Sequence, residues 1–247
     1  MGIPKFTIIT VCYNSAKTIE RTILSVISQN YKNIEYIIID GASTDNSLSI
    51  IDKYRNRIDQ IVSEKDIGIY DAMNKGLKIS TGDIIMFLNA DDRLLDTDTI
   101  QHVAAKIGEF IKRKIEVFHG GVLMYSAEDG SGNVWMSRSI NKYSIYRGAI
   151  PHPATFYLRN AFDKNGYFNT NYKICADYEW VVRGFIRNKL KFQNINIITS
   201  IFTKGGLSTN DDFKIIHREE RLHIANNYFG KFEEKYYRLR KRFRKIF

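Results

Sequence analysis

The alternation of strand-length apolar runs with helix-period segments over residues 6–112 constrains this chain more than any other feature. Phe6 to Tyr13, Ile34 to Ile39, Gln60 to Ser63 and Asp83 to Leu88 are short, β-branched or aromatic and bounded by turn formers, which predicts strands. Helical periodicity falls between and after them, over 17–29, beyond Asp45, over 70–78 and over 97–112. Asn14-Ser15 predicts a turn and N-cap for the first helix, and Ser43 or Thr44 a cap for the second. Such repetition joins parallel strands by right-handed crossovers, and ligands collect outside the carboxyl ends of those strands. Chemistry is therefore sought in the turns, above all at Asp40 and at Asn89-Ala90-Asp91-Asp92.

Beyond Lys114 the rhythm breaks. Glu116 to Tyr125 and Val134 to Ser139 read as strands around the turn Glu128 to Asn133, an antiparallel excursion. Pro151-His152-Pro153 excludes helix and leads to an extended Ala154 to Leu158. Tyr178 to Arg187 is predicted helical, Phe192 to Phe202 extended, and the chain from Asp211 onward helical almost to its end. No repeat, low-complexity tract or Pro/Gly-rich linker divides the sequence, so one α/β domain with an embellished C-terminal half is expected.

Two cysteines, Cys12 and Cys175, are too few for a disulfide framework and suit a reducing cytoplasm. Neither a signal peptide nor a bilayer-length apolar run is visible. The net charge is +10, of which a net +6 lies in Lys231 to Phe247, so the main body lacks the basic groove of a nucleic-acid-binding protein. In that tail Phe232, Tyr236, Leu239, Phe243 and Ile246 recur at helical intervals beside Arg238, Arg242 and Lys245. Such a basic amphipathic helix is expected on an anionic membrane surface, as for a peripheral protein on the inner face of the cell membrane; the alternative is packing on the body or against a second copy.

Several acidic residues invite chemistry, each beside a structural alternative. Asp91 and Asp92 repel one another unless compensated, so they either hold a divalent ion or open a loop and cap the next helix. Asp40 either accepts the imide N–H of a nucleobase or closes an Asx-turn. Glu64, Asp66 and Asp71 surround Gly68, and Lys75 is either a phosphate contact or an exposed helix cation. Asp177 is placed either as a general base, with Tyr178 and Trp180 lowering the local dielectric, or as the N-cap of a helix starting at Tyr178. His152, fixed between two prolines, is either a ligand contact or a structural histidine.

Five segments in order resemble the GT-A glycosyltransferases of family 2. Ile9 to Asn14 is similar to that family's opening strand, Ile39 to Asp45 to its nucleoside-binding turn and Gly68 to Gly76 to its Gly/Ala/Asn segment. Asn89 to Asp92 resembles its metal-binding DxD region and Ala176 to Trp180 its catalytic-base segment; apart from these five, Gly205 to Ser208 resembles a loop that closes over the donor in relatives, or is a plain flexible turn. The likeness runs from Phe6 to about Ser208.

The resemblance implies a Rossmann-like GT-A domain over 1–210, with a mostly parallel central sheet and flanking helices, and a helical basic extension over 211–247. Residues 1–114 would be the nucleotide-binding half and 115–210 the acceptor half. It implies inverting transfer of a hexosyl or N-acetylhexosaminyl group from a UDP- or GDP-sugar to a glycan or lipid-linked acceptor in bacterial surface-polysaccharide synthesis, with Mn²⁺ or Mg²⁺. On that reading Thr10, Tyr13, Asn14, Asp40, Asp66, Asn74, Lys75 and Asp91 contact the donor, and Asp91 and Asp92 the ion. Asp177 is the base, and His152, Tyr178, Glu179 and Trp180 meet the acceptor. Asn89 stands where many relatives carry the first acid of DxD, and Met73 where many carry an arginine.

Two other classes compete. A sugar-phosphate nucleotidyltransferase shares the architecture but wants a Gly-rich, basic loop after the first strand, which Asn14-Ser15-Ala16 lacks. A non-catalytic nucleotide-sugar-binding or scaffold protein is left open by Asn89 and Met73.

Overall fold

In the computed structural model, which describes residues 3–110, 113–126, 130–136, 140–148, 150–203, 213–230 and 235, the N-terminal apolar runs form parallel strands. They are β1 (Phe6–Cys12), β2 (Ile34–Asp40), β3 (Gln60–Ser63) and β4 (Ile84–Phe87), in the order β3-β2-β1-β4. The sheet continues through β8 (Thr155–Leu158), β6 (Val117–Tyr125), β9 (Phe192–Thr203) and β5 (Arg93–Leu94), with β7 (Gly132–Trp135) on β6. β8 runs antiparallel to β4 and β6, whereas β6 and β9 are parallel.

Alternate side chains of β1 and β2 enter two separate cores, which is why these strands read as unbroken apolar runs. Ile8 and Ile38 pack with Ile23 of α1 (Ile19–Ile27), Ile51 of α2 (Ser47–Asp52) and Val103 of α4 (Thr99–Phe110). Ile9 and Ile37 share the other core with Met73 of α3 (Ile69–Ile79), Ile145 of α5 (Lys142–Tyr146), Phe162 of α6 (Arg159–Asn165), Trp180 of α7 (Ala176–Ile186) and Ile224 of α8 (Lys214–Tyr228). The result is the expected α/β, Rossmann-like architecture with a mostly parallel sheet and an antiparallel excursion.

A buried carboxylate ties the amino ends of the strands together. Glu35 accepts hydrogen bonds from Thr7 Oγ1, Thr81 N, Thr81 Oγ1 and Lys5 Nζ. Burial opposes its charge, yet these donors prevail and hold its pKa down from 4.5 to about 2. A carboxyl depressed on folding stabilises the protein above its unfolded pKa and loses that contribution as pH falls through the folded value. Urea melts are expected to lose about 3 kcal/mol through this group between pH 4.5 and 2, and Glu35→Gln to flatten that slope.

Local chemistry corrects several boundaries. α1 starts at Ile19 rather than near Lys17, because the side chain of Asn14 accepts from Thr44 N (2.9 Å) and the Ser15 hydroxyl donates to the Tyr13 carbonyl (3.2 Å), so neither side chain caps α1. The N-cap of α2 is Asn46, since Ser43 Oγ turns back to Asp40. One 3-10 turn does form at His152–Ala154, where the N–H that Pro153 lacks has no partner to lose. α5, closed by a reciprocal Asn141–Ser144 capping box, and α6 were not expected. α7 begins at Ala176, so Asp177 lies in its first turn and caps nothing.

α8 ends at Tyr228, where Phe229 turns extended (φ −108°, ψ 137°), so the helix does not run unbroken into the basic tail. Ile224, Ala225 and Phe229 belong to the main core. Apart from Lys235, Lys231 to Phe247 lies outside the described residues, as does Gly205 to Ser208.

Candidate active site

β1 lies between β2 and β4, so successive crossovers depart in opposite directions and open a crevice beyond the carboxyl ends of β1 and β4. Tyr13 and Asn14 follow β1, Asp66 follows β3 and Asp91 follows β4. The Tyr13 ring is 61% exposed at this edge. Gly41 brings the turns together, since a Cβ there would stand 2.4 Å from Asp66 Oδ2 and 3.5 Å from the Tyr13 ring. Burial lifts the Asp66 pKa above the ordinary carboxylate value.

Two residues expected at the nucleoside lie behind this surface. Asp40 is fully buried, and its oxygens accept from Ser43 N, Ser43 Oγ and Ser63 Oγ, with Cys12 Sγ at 3.6 Å. These bonds hold Ala42 in the left-handed region at φ +62°, which an alanine adopts only when its surroundings impose it. Asp40 therefore braces the turn from beneath and is not exposed on the crevice surface. Thr10 is also buried, bonded to Tyr36 Oη at 3.2 Å, because even-numbered β1 residues face the layer of α1, α2 and α4.

The turn after β4 is drawn onto α1 by Thr22, whose hydroxyl reaches the carbonyls of Ala90 (2.9 Å) and Asp92 (2.6 Å). Asp92 Oδ1 accepts from Thr203 N (3.3 Å), while Asp92 Oδ2 and Asn89 Oδ1 are buried without a partner. Burial raises the carboxyl of Asp91, and burial plus the neighbouring Asp91 charge raises that of Asp92 further. Unpartnered oxygens beside two carboxylates that burial disfavours as anions complement a hard divalent cation, so this donor set fits Mg²⁺ or Mn²⁺.

Asp177 projects into a second recess, a cleft of about 310 Å³ also lined by His152, Thr155, Tyr178, Trp135 and Arg221. Its Oδ1 accepts from Tyr70 Oη (2.8 Å), and its Oδ2 lies 3.9 Å from His152 Nδ1. His152 stacks on Phe87 (5.8 Å, 18°), and neither ring nitrogen has a hydrogen-bond partner. Burial lowers its pKa, which favours the neutral imidazole beside Asp177 Oδ2.

The segment before α7 is clamped from two sides. Glu220 of α8 accepts the backbone N–H groups of Lys173 (2.6 Å), Ile174 (3.0 Å) and Cys175 (2.9 Å). From α3, the Asn74 amide pairs with both backbone groups of Phe168 (2.9 and 3.0 Å). Asn74 thus ties α3 to this segment through both its amide oxygen and its amide nitrogen. Lys75 is occupied by Glu64 (2.9 Å), Asp71 (3.5 Å) and the Lys65 carbonyl (2.9 Å), and Met73 is core.

Helical geometry divides the residues expected at the acceptor. Asp177, Tyr178 and Val181 line the cleft, whereas Glu179 and Trp180, each about 100° further round α7, face inward. Glu179 bonds Arg183 (3.0 Å) and the Tyr228 hydroxyl, and the Trp180 indole donates to the Gly166 carbonyl (2.8 Å). Tyr70, His217, Glu220 and Arg221 were missed. Tyr70 sits inside a segment whose resemblance pointed to α3, but nothing local marked the three on α8.

A parallel N-terminal half, an acidic pair at a strand's end and a carboxylate facing a cleft in a mixed second half are the arrangement of the GT-A fold. The family model Glycosyl transferase family 2 matches residues 7–183. A PGL/p-HBAD biosynthesis glycosyltransferase of Mycobacterium bovis (strain BCG / Pasteur 1173P2) is 31% identical over 212 residues, 84% of this chain and 80% of the relative. In fold, the chain is similar to S. aureus TarS 1-349 in complex with UDP-GlcNAc (TM-score 0.70, 22% identity, 93% of this chain and 69% of that one). It is similar too to the mannosyltransferase PcManGT from Pyrobaculum calidifontis in complex with GDP-Man and Mn²⁺ (TM-score 0.65, 18% identity, 90% and 63%). The chain belongs to glycosyl transferase family 2 and is a glycosyltransferase, which sets the nucleotidyltransferase alternative aside.

Proposed function

We propose that this enzyme transfers a sugar from a UDP- or GDP-sugar to a hydroxyl of a glycan or lipid-linked acceptor, with inversion and with a divalent cation bound. The reading is carried by Asp177, whose Oδ1 is fixed by Tyr70 while Oδ2 faces the cleft. The acceptor oxygen attacks the anomeric carbon, the bond from that carbon to the β-phosphate oxygen breaks, and the hydroxyl proton passes to Asp177 Oδ2. A single displacement from the face opposite the departing diphosphate inverts the centre. Tyr70, the Phe168–Asn74 pair and Glu220 keep the carboxylate at a fixed position, which is where rate is gained from orientation.

Asp91, with Asp92 and Asn89, would hold Mg²⁺ or Mn²⁺, which when bound supplies charge neutralisation to the departing diphosphate. Among the described residues no group of three or more His, Cys, Asp or Glu side chains is placed to hold an ion, and oxygens of the donor diphosphate would supply the further ligands. Tyr13, Asn14 and Asp66 line the nucleoside end, Tyr13 offering its exposed ring, and His152 and Tyr178 flank the reacting sugar. The complexes of TarS with UDP-GlcNAc and of PcManGT with GDP-Man and Mn²⁺ support this choice of donor and ion. Residues 1–114 then serve the donor and 115–210 the acceptor. The basic tail from Lys231 is read as a membrane-surface element from its sequence pattern, an apolar stripe flanked by Arg238, Arg242 and Lys245.

A thermal-shift panel of UDP, GDP and their sugars tests the reading. One nucleotide series is expected to raise Tm only with Mn²⁺ or Mg²⁺, by about 2.7 kcal/mol of stabilisation at a hundredfold excess over Kd. No shift with any nucleotide would remove the proposal.

A further inference from the structure

Arg221 enters the Asp177 cleft from α8, and it is held firmly by neutral partners. Its guanidinium lies over the Tyr178 ring, Cζ 3.9 Å from the centroid, and Nη2 donates to the Tyr146 carbonyl (2.8 Å). Gly148, at φ +73°, admits the third contact, since a Cβ there would stand 2.6 Å from Nη1. These neighbours fix the plane of the group without neutralising it. Among the described residues no carboxylate forms a salt bridge with Arg221. Its chain neighbour Glu220 spends both oxygens on the N–H groups of residues 173–175. His217, one turn earlier on the same helix, lines the same cleft, and so does the partly exposed Trp135.

A guanidinium already oriented in a partly apolar recess loses little freedom when an oxyanion pairs with its fork, whereas a neutral ligand leaves it desolvated and unmatched. Building on the assignment of Asp177 as base, we propose that the acceptor is a sugar carrying an oxyanion, a phosphate or a carboxylate, and that Arg221 seats that group beside the attacking hydroxyl. Tyr178 stacks behind the cation, and Trp135 offers a ring face to the sugar.

The test is calorimetric titration of the full chain, saturated with Mn²⁺ and with whichever of UDP and GDP raises its Tm, against glucose 1-phosphate, glucuronate and methyl glucoside. At least one charged probe should bind about tenfold tighter than methyl glucoside, the two charged probes separating phosphate from carboxylate. Arg221→Gln should erase that preference, and Arg221→Lys, which keeps the charge but not the fork, should retain only part of it. Equal binding of all three probes, no binding of any, or an undiminished preference in either variant overturns the inference. Should the Gln variant fail to fold, the Lys variant decides. If no nucleotide binds, the transferase reading fails separately, and the same probes titrated alone still report on Arg221.

Discussion

Asp177→Asn is expected to lower the turnover number for sugar transfer by about 10²- to 10⁴-fold, the range over which a positioned general base contributes, while the donor still binds. Asparagine keeps the volume and an oxygen to accept the Tyr70 hydroxyl at the position where Oδ1 now accepts it at 2.8 Å, but it cannot take a proton. The loss should therefore appear in kcat, with donor affinity measured by thermal shift unchanged. Tyr70→Phe should show a smaller loss of the same kind, because the carboxylate survives and only its orientation relaxes. Wild-type turnover in Asp177→Asn would remove the base from the mechanism.

Removal of divalent cations with a chelator is expected to abolish transfer, and Mn²⁺ or Mg²⁺ to restore it. Asp91→Asn should lower activity at least about a hundredfold at fixed Mn²⁺, since charge neutralisation at the leaving group is worth several kcal/mol. Asp92→Asn carries a sharper expectation. Asp92 is buried, one of its oxygens has no partner, and its carboxyl sits beside Asp91. Losing that charge should raise the Tm of the chelated protein while removing the gain in Tm that nucleotide with Mn²⁺ gives the wild type. An Asp92→Asn protein that is destabilised, or that keeps the metal-dependent shift, would show the pair to be structural.

The parallel half was legible because its signals are local. Apolar runs at β1, β2, β3 and β4 were bounded correctly to within two residues, and their order in the chain implied parallel crossovers. Asp91, Asp66 and Asp177 stand out as candidates in the sequence because each sits at or just beyond an element's end. Sequence proximity misled at Thr10, whose pleat position turns it inward, and at Glu179 and Trp180, which a helix rotates away from their neighbour Asp177. The helices α5 and α6 were too short to carry a period.

Local pattern was enough to establish strands in series, helices between them, and carboxylates at the strands' carboxyl ends, since propensity, periodicity and turn chemistry act over a few residues. How far each carboxylate is closed off by hydrogen bonds was decided by partners distant in the chain. Ser63 on β3 closes off Asp40, Thr203 on β9 occupies half of Asp92, and Tyr70 with Glu220 sets the aim of Asp177. The physical reason is that solvation and hydrogen-bond saturation depend on neighbours in space, and those neighbours are supplied only once the sheet and its two helical layers have closed.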